Sequence, residues 1–205
     1  MPVKDSGDWD GRRIGLLGGS FNPAHEGHLH ISHGALETLG LDALWWLVSP
    51  QNPLKPSAGM APFEARLSNA RALVDDRRIH VSDMERRLDT RYSADTVRAL
   101  IKRYPRAAFV WIMGADNLAQ IDQWKDWTAI FAALPIAVFD RPTYSDAALT
   151  CAAVKRFAAS RIDAGRAREL AGLPPPAWVF VRGNLSSASA TEIRQAGAKI
   201  DNNHH

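Results

Sequence analysis

The residues best suited to chemistry lie in one stretch, Leu17-Gly18-Gly19-Ser20-Phe21-Asn22-Pro23-Ala24-His25-Glu26-Gly27-His28. Gly18 and Gly19 carry no side chain, so a ligand can approach the backbone closely there. His25 and His28 follow at i and i+3, where a helix-length segment begins. Imidazole can donate a hydrogen bond to a phosphate oxygen, and the positive end of a helix dipole adds favourable potential for an anion. The stretch therefore reads as equipment for handling phosphate. It is neither of the two common phosphate loops. No Gly-x-Gly-x-x-Gly follows, and Gly-x-x-x-x-Gly-Lys-Ser/Thr occurs nowhere in the chain, which removes the main support for a dinucleotide dehydrogenase or a P-loop NTPase. The bland alternative is a zinc site that adds His30 and His33, but these pairs lack the His-Glu-x-x-His arrangement and no cysteine lies near. No protein metal site is expected, and His30 and His33 read as ordinary helix positions.

Six short apolar runs are spaced to position such a loop: Ile14 to Leu17, Ala43 to Val48, Ile79 to Val81 as the weakest, Phe109 to Met113, Ile136 to Phe139 and Trp178 to Val181. They lack polar alternation, as strands buried on both faces of a parallel sheet do. Helix-length segments separate them: His28 to Leu39, Pro62 to Asp75, Ser93 to Arg103, Trp124 to Ala133, and an interrupted Ser145 to Leu170. Pro62 suits a first helical turn, and Ser93 and Ser145 suit N-caps. The alternation predicts an α/β fold, a doubly wound parallel sheet whose ligands sit beyond the carboxyl ends of the strands. With 205 residues, 46% hydrophobic and 23% charged, the chain is expected to form one domain. No run approaches the ~18 apolar residues of a membrane span. Met1 to Arg13 carries charges where a signal peptide would be apolar, and Cys151 stands alone, so a cytoplasmic setting is expected. A net charge of +3 does not demand nucleic acid; a small polyanion is the expected partner.

Gly19-Ser20-Phe21-Asn22-Pro23-Ala24-His25-Glu26-Gly27-His28 resembles the nucleotidylyltransferase signature Gly-x-Phe-x-Pro-x-His/Thr-x-x-His. Further segments, in order, resemble landmarks of the bacterial nicotinate-nucleotide adenylyltransferase family: Pro50-Gln51-Asn52-Pro53-Leu54-Lys55, Asp83-Met84-Glu85, Arg91-Tyr92-Ser93, Gly114-Ala115-Asp116-Asn117-Leu118 with Trp124, Arg141-Pro142, and Ser189-Ala190-Thr191-Glu192-Ile193-Arg194. The resemblance covers Ile14 to Arg194. It departs in four places: Lys55 is the basic residue left in the second-strand loop, Ser93 replaces a threonine, Ala188 replaces a larger apolar residue, and the sequence ends within a few residues of Arg194 where many members of the family continue into another helix.

The resemblance implies a single-domain, Rossmann-like sheet with helices on both faces, spanning 14–196 between an extension (1–13) and a polar tail (197–205). It implies adenylyl transfer from ATP to nicotinate mononucleotide, with Mg²⁺ carried by the ATP. His25, His28 and Arg194 would act on the phosphates. Gly18, Gly19, Ser20, Phe21, Lys55, Gly114, Asp116, Arg141, Ser189 and Thr191 would bind ATP, while Asn52, Tyr92, Ser93 and Trp124 would bind the mononucleotide. Outside that resemblance, Lys55, Arg141 and Arg194 read as solvated charges, Asp116 as a helix cap, and Trp124 as core beside Trp127, Ile130 and Phe131. The competing functions are a pantetheine-phosphate adenylyltransferase and an inactive nucleotide-binding module.

Overall fold

The computed structural model describes residues 9–50, 59–141 and 144–182. Six parallel strands form one sheet: β1 (Arg13–Gly19), β2 (Ala43–Val48), β3 (Ile79–Ser82), β4 (Ala108–Gly114), β5 (Ile136–Phe139) and β6 (Trp178–Val181), in the order β3-β2-β1-β4-β5-β6. All six expected runs are strands. Chain direction through the sheet reverses between β1 and β4, which pair side by side, Leu16 opposite Trp111. This is the switch point of a doubly wound fold, where a crevice opens past the strand ends.

The absence of alternation in the strands has a direct cause, because both faces of the sheet are covered. In β2, Trp45 and Leu47 enter one apolar layer while Leu44, Trp46 and Val48 enter the other. The first layer packs under α3 (Met84–Arg87), α4 (Ser93–Arg103), α5 (Ala115–Ala119), α6 (Trp127–Ala133), α7 (Ser145–Thr150) and α8 (Ala152–Arg156). The second packs under α1 (Glu26–Leu39), α2 (Phe63–Leu73) and a 3-10 segment, Ala164–Gly172. Gly40 ends α1 in the left-handed region at φ 61°, its N–H bonded to Leu36, a conformation that favours glycine. Ahead of β1, Trp9 packs edge-on against Trp45 and His80.

Several helix boundaries differ from expectation. Pro62 precedes α2 instead of occupying its first turn, and Tyr92 and Tyr144, not Ser93 and Ser145, hold the N-cap positions. Trp124 lies outside α6 in extended conformation, because Asp126 turns the chain through the left-handed region at φ 53° before the helix can start. The long segment from Ser145 breaks into α7, α8 and two 3-10 segments. The sheet captures the chain there: Ile162 donates to the Trp178 carbonyl at 2.8 Å, which pulls Arg161 and Ile162 out of any helix. Tertiary pairing thus overrides local helix preference.

Candidate active site

The spacing of His25 and His28 does a structural job that the sequence did not announce. His25 is the N-cap of α1 and His28 its third residue, and the two imidazoles form a reciprocal capping box. His25 Nδ1 accepts from the Gly27 N–H at 3.1 Å, and His28 Nδ1 accepts from the His25 N–H at 3.2 Å. Ser or Thr with Glu usually plays these parts. An Nδ1 that accepts carries no proton, so in both neutral rings the N–H sits on Nε2. The backbone thereby favours, in each neutral ring, the tautomer with its N–H on Nε2.

Buried aromatic and polar groups hold the pair. The ring centroids of His25 and His28 are 4.0 Å apart, His28 lies 4.7 Å from Phe21, and Phe21 stacks on Trp46 at 4.9 Å. Trp46 Nε1 donates to Ser32 Oγ at 2.7 Å, and Ser32 donates in turn to the His28 carbonyl at 2.7 Å. Phe21 sits at φ 46°, strained for a bulky residue, and its ring is buried in this nest. The space beside the two glycines is used from within: a Cβ on Gly18 would meet Trp111 at 3.0 Å, and one on Gly19 would meet the Phe21 ring at 3.2 Å.

Arg66 is the group that sequence reasoning missed. Its guanidinium is buried and donates to four backbone carbonyls: Ser20 at 2.5 Å, Ser49 at 2.8 Å, Pro50 at 2.8 Å and Ala61 at 3.0 Å. Burial pulls its pKa below the usual arginine range. Asn22 ties the same loops, donating to the Gly59 carbonyl at 3.0 Å and accepting from the Ala61 N–H at 3.1 Å. One signal was available: Arg66 lies on the Phe63, Leu67, Ala70 stripe of α2, where a charge is out of place. Glu85, in the Asp83-Met84-Glu85 segment, is also buried. Desolvation pushes its carboxyl up to about 7, opposed by a hydrogen bond from Ser49.

Beyond β4 the groups are half-buried. Arg141 meets Asp116 at 3.1 Å. Asp116 makes no capping bond to α5, so the capping reading is replaced by an ion pair. Its carboxylate folds back over Gly114, where a side chain would collide with it. Asp140 fixes the start of the Arg141 turn by accepting from the Arg141 N–H at 2.8 Å and from Ser145 Oγ at 2.5 Å. Trp124 is partly buried with its ring edge-on to Trp111 at 6.5 Å, so it combines a packed face with exposure. Lys125 Nζ lies 4.5 Å from the Tyr92 ring centroid, which brings the Trp124 turn together with the start of α4 at Ser93. Asn52, Lys55, Ser189, Thr191 and Arg194 lie outside the described residues. Among the described residues, no three His, Cys, Asp or Glu side chains group to hold a metal, and no helix is long and apolar enough to cross a membrane.

Comparisons with known proteins converge. The family model described as cytidylyltransferase-like matches residues 16–196. A protein of Parvibaculum lavamentivorans named "Probable nicotinate-nucleotide adenylyltransferase" is 52% identical, over 91% of this chain and 93% of its own length. One of the same name from Gluconacetobacter diazotrophicus is 48% identical, over 95% of this chain and 92% of its own. Among solved structures, the nicotinic acid mononucleotide adenylyltransferase of Plasmodium falciparum complexed with NaAD is similar in fold, with a TM-score of 0.66 at 15% identity over 90% of this chain and 83% of that one. Its likeness concerns the fold alone, whereas the bacterial relatives match at about half of the aligned positions over most of the chain. The chain belongs to the nicotinate-nucleotide adenylyltransferase family, within the cytidylyltransferase-like group.

Proposed function

We propose that this chain transfers the adenylyl group of ATP to nicotinate mononucleotide, forming nicotinate adenine dinucleotide and pyrophosphate. The observation that carries this reading is the histidine capping box at the end of β1. Two imidazoles that accept backbone N–H groups through Nδ1, at a helix N-terminus past the switch point of the sheet, support a triphosphate site there.

The acceptor phosphate is already ionised, so no protein nucleophile is needed. One of its oxygens forms a bond to the α-phosphorus while the bond from that phosphorus to the bridging oxygen of the β-phosphate breaks, and pyrophosphate leaves with the electron pair. The protein's task is in-line positioning and stabilisation of charge on the phosphoryl oxygens. His25 and His28 would donate from Nε2 to those oxygens, with Arg194 at the leaving end. Gly18, Gly19, Ser20, Phe21 and Lys55 would border the phosphates, and Gly114, Asp116, Arg141, Ser189 and Thr191 the rest of the ATP. Magnesium enters as part of MgATP, screening the triphosphate charge and keeping most of its waters.

Asn52, Tyr92, Ser93 and Trp124 would form the acceptor site. The Tyr92 carbonyl takes the Asp95 and Thr96 N–H groups, so a ring carboxylate would accept from the earlier N–H groups of α4, at Ser93 and Ala94, and would gain from the nearby Lys125 charge. A carboxamide would have to turn its own NH₂ toward a donor, at a cost of about 1 to 3 kcal/mol. Nicotinate mononucleotide is therefore the preferred acceptor over nicotinamide mononucleotide. We place the transferase domain at 14–196, with 1–13 as an extension and 197–205 as a tail, in the cytoplasm.

Pyrophosphate release from MgATP, measured with each acceptor in turn, tests the reading. Nicotinate mononucleotide should turn over with kcat/KM at least about tenfold above nicotinamide mononucleotide, and pantetheine phosphate should not react. Turnover with pantetheine phosphate alone would overturn it.

A further inference from the structure

Arg66 is a cation taken out of water with no carboxylate paired to it among the described residues; its acceptors there are the four carbonyls of Ser20, Ser49, Pro50 and Ala61. Burying a guanidinium is costly, and backbone dipoles offset that cost only when several converge in fixed geometry. Here they converge from separate places: the turn after β1, the turn after β2, and the entry to α2. No one of these turns could offer four carbonyls by itself. The same helix contributes a second tie three residues on, where Asn69 Oδ1 accepts from the Ala24 N–H at 3.1 Å, next to His25. Asn22 closes the arrangement from the other side through Gly59 and Ala61.

The frame also continues toward the start of α4. Ser49, whose carbonyl takes Arg66, hydrogen-bonds the Glu85 side chain. The Glu85 carbonyl accepts from the Thr90 N–H at 2.9 Å. Thr90 Oγ1 lies 2.8 Å from Thr96 Oγ1, and Thr96 donates to the Tyr92 carbonyl at 3.2 Å. Hydrogen bonds relayed through the residues Arg66, Ser49, Glu85, Thr90 and Thr96 thus connect the Ser20 turn to the first turn of α4.

We propose that Arg66 is a positioning residue for the transfer: it locks the Ser20, Ser49–Pro50 and Ala61 backbones into one frame, so that the phosphate loop and the acceptor side are set relative to each other before either substrate binds. It touches neither substrate. It acts by removing the ordering that binding would otherwise have to supply, and by holding the reacting oxygen in line. The proposal rests on the adenylyl-transfer reading above.

Two variants test it. Arg66→Lys keeps the charge but offers one nitrogen where the guanidinium spans carbonyls with three. Asn22→Ala cuts the parallel tie and leaves Arg66 in place. Each is compared with wild type for folding by circular dichroism and melting, for kcat and KM with nicotinate mononucleotide, and for affinity toward the ATP analogue bearing a methylene between its α- and β-phosphates, with Mg²⁺, by calorimetry. In folded Arg66→Lys, kcat should fall by about tenfold to a hundredfold and analogue affinity by about tenfold. Asn22→Ala should show the same pattern at about threefold. Folded variants that melt earlier yet keep wild-type kcat and analogue affinity would overturn the proposal and leave Arg66 a structural residue. If Arg66→Lys does not fold, Asn22→Ala decides by the same criteria. Wild-type protein that binds the analogue but does not use nicotinate mononucleotide would refute the acceptor reading alone, since the analogue measurement needs no acceptor.

Discussion

After β1, the chain is held by buried and partly buried groups: the imidazoles of buried His25 and partly buried His28 bonded to backbone N–H, a buried guanidinium bonded to carbonyls, and buried Asn22 bridging to Gly59 and Ala61. Past β4, the stretch from α5 through the Trp124 turn is held by the Asp116–Arg141 ion pair, whose side chains are 24% and 20% exposed, by an edge-on tryptophan contact, and by a lysine over a tyrosine ring. Both regions follow strands that flank the switch point, so the difference is one of construction. Buried hydrogen bonds to backbone have one low-energy arrangement and are costly to break. Half-exposed charges and ring edges are weakly held and can adjust. The first region is therefore the more rigidly built of the two.

The sharpest test of this contrast is His28→Ala. It removes one half of the capping box and the donor proposed for the phosphates, so kcat should fall at least about a hundredfold and stability by about 1 kcal/mol. Wild-type turnover in the folded variant would remove His28 from the mechanism. Next is Glu85, whose folded pKa of about 7 stands above the usual 4.5 because of burial. A raised acid contributes stability that is full below its unfolded value and lost as pH rises through about 7. Glu85→Gln should thus match wild type near pH 4.5 and exceed it by about 3 kcal/mol at pH 8.5 in denaturant titrations. Parallel curves at the two pH values would show that Glu85 titrates normally.

Effects in the second region should be smaller. Trp124→Ala should raise KM for the mononucleotide by up to about tenfold, the scale of a stacked contact, with KM for ATP nearly unchanged. Early melting with both KM values unchanged would assign Trp124 to the core. Asp116→Asn frees Arg141 from a half-exposed pair and should alter stability by less than about 1 kcal/mol, with KM for ATP moving only a few fold. A loss as large as that of His28→Ala would erase the contrast between the two regions.

What was legible in the sequence follows the same division. The strands announced themselves because both sheet faces are buried, which leaves uninterrupted apolar runs such as Ala43–Val48. The histidine loop was legible because its residue types are chemically distinctive, although the capping use of the same spacing was not. Arg66 left no partner in the sequence to match it, since backbone carbonyls belong to every residue. Asp116 and Arg141 are 25 positions apart, and only the adjacency of β4 and β5 brings them together. Trp124 was misplaced onto a helix because its spacing from Trp127 and Phe131 is helical, while the left-handed turn at Asp126 has no such signature.

Trp45 and Trp46 are neighbours in β2, fully buried and pointing into opposite layers. Only one is answered in kind: Trp46 Nε1 reaches Ser32, whereas Trp45 Nε1 has no hydrogen-bond partner among the described residues. A strand of six apolar residues has little in its hydrophobicity to say which way up it belongs, because either face would be welcome in grease. A slip of one residue would exchange the two indoles, take the Trp46 N–H away from Ser32 Oγ and so unhook the strand from α1, the helix that His25 caps and whose first turn holds His28. One indole N–H thus acts as a registration mark, and the strand's orientation during assembly is written in a single buried hydrogen bond.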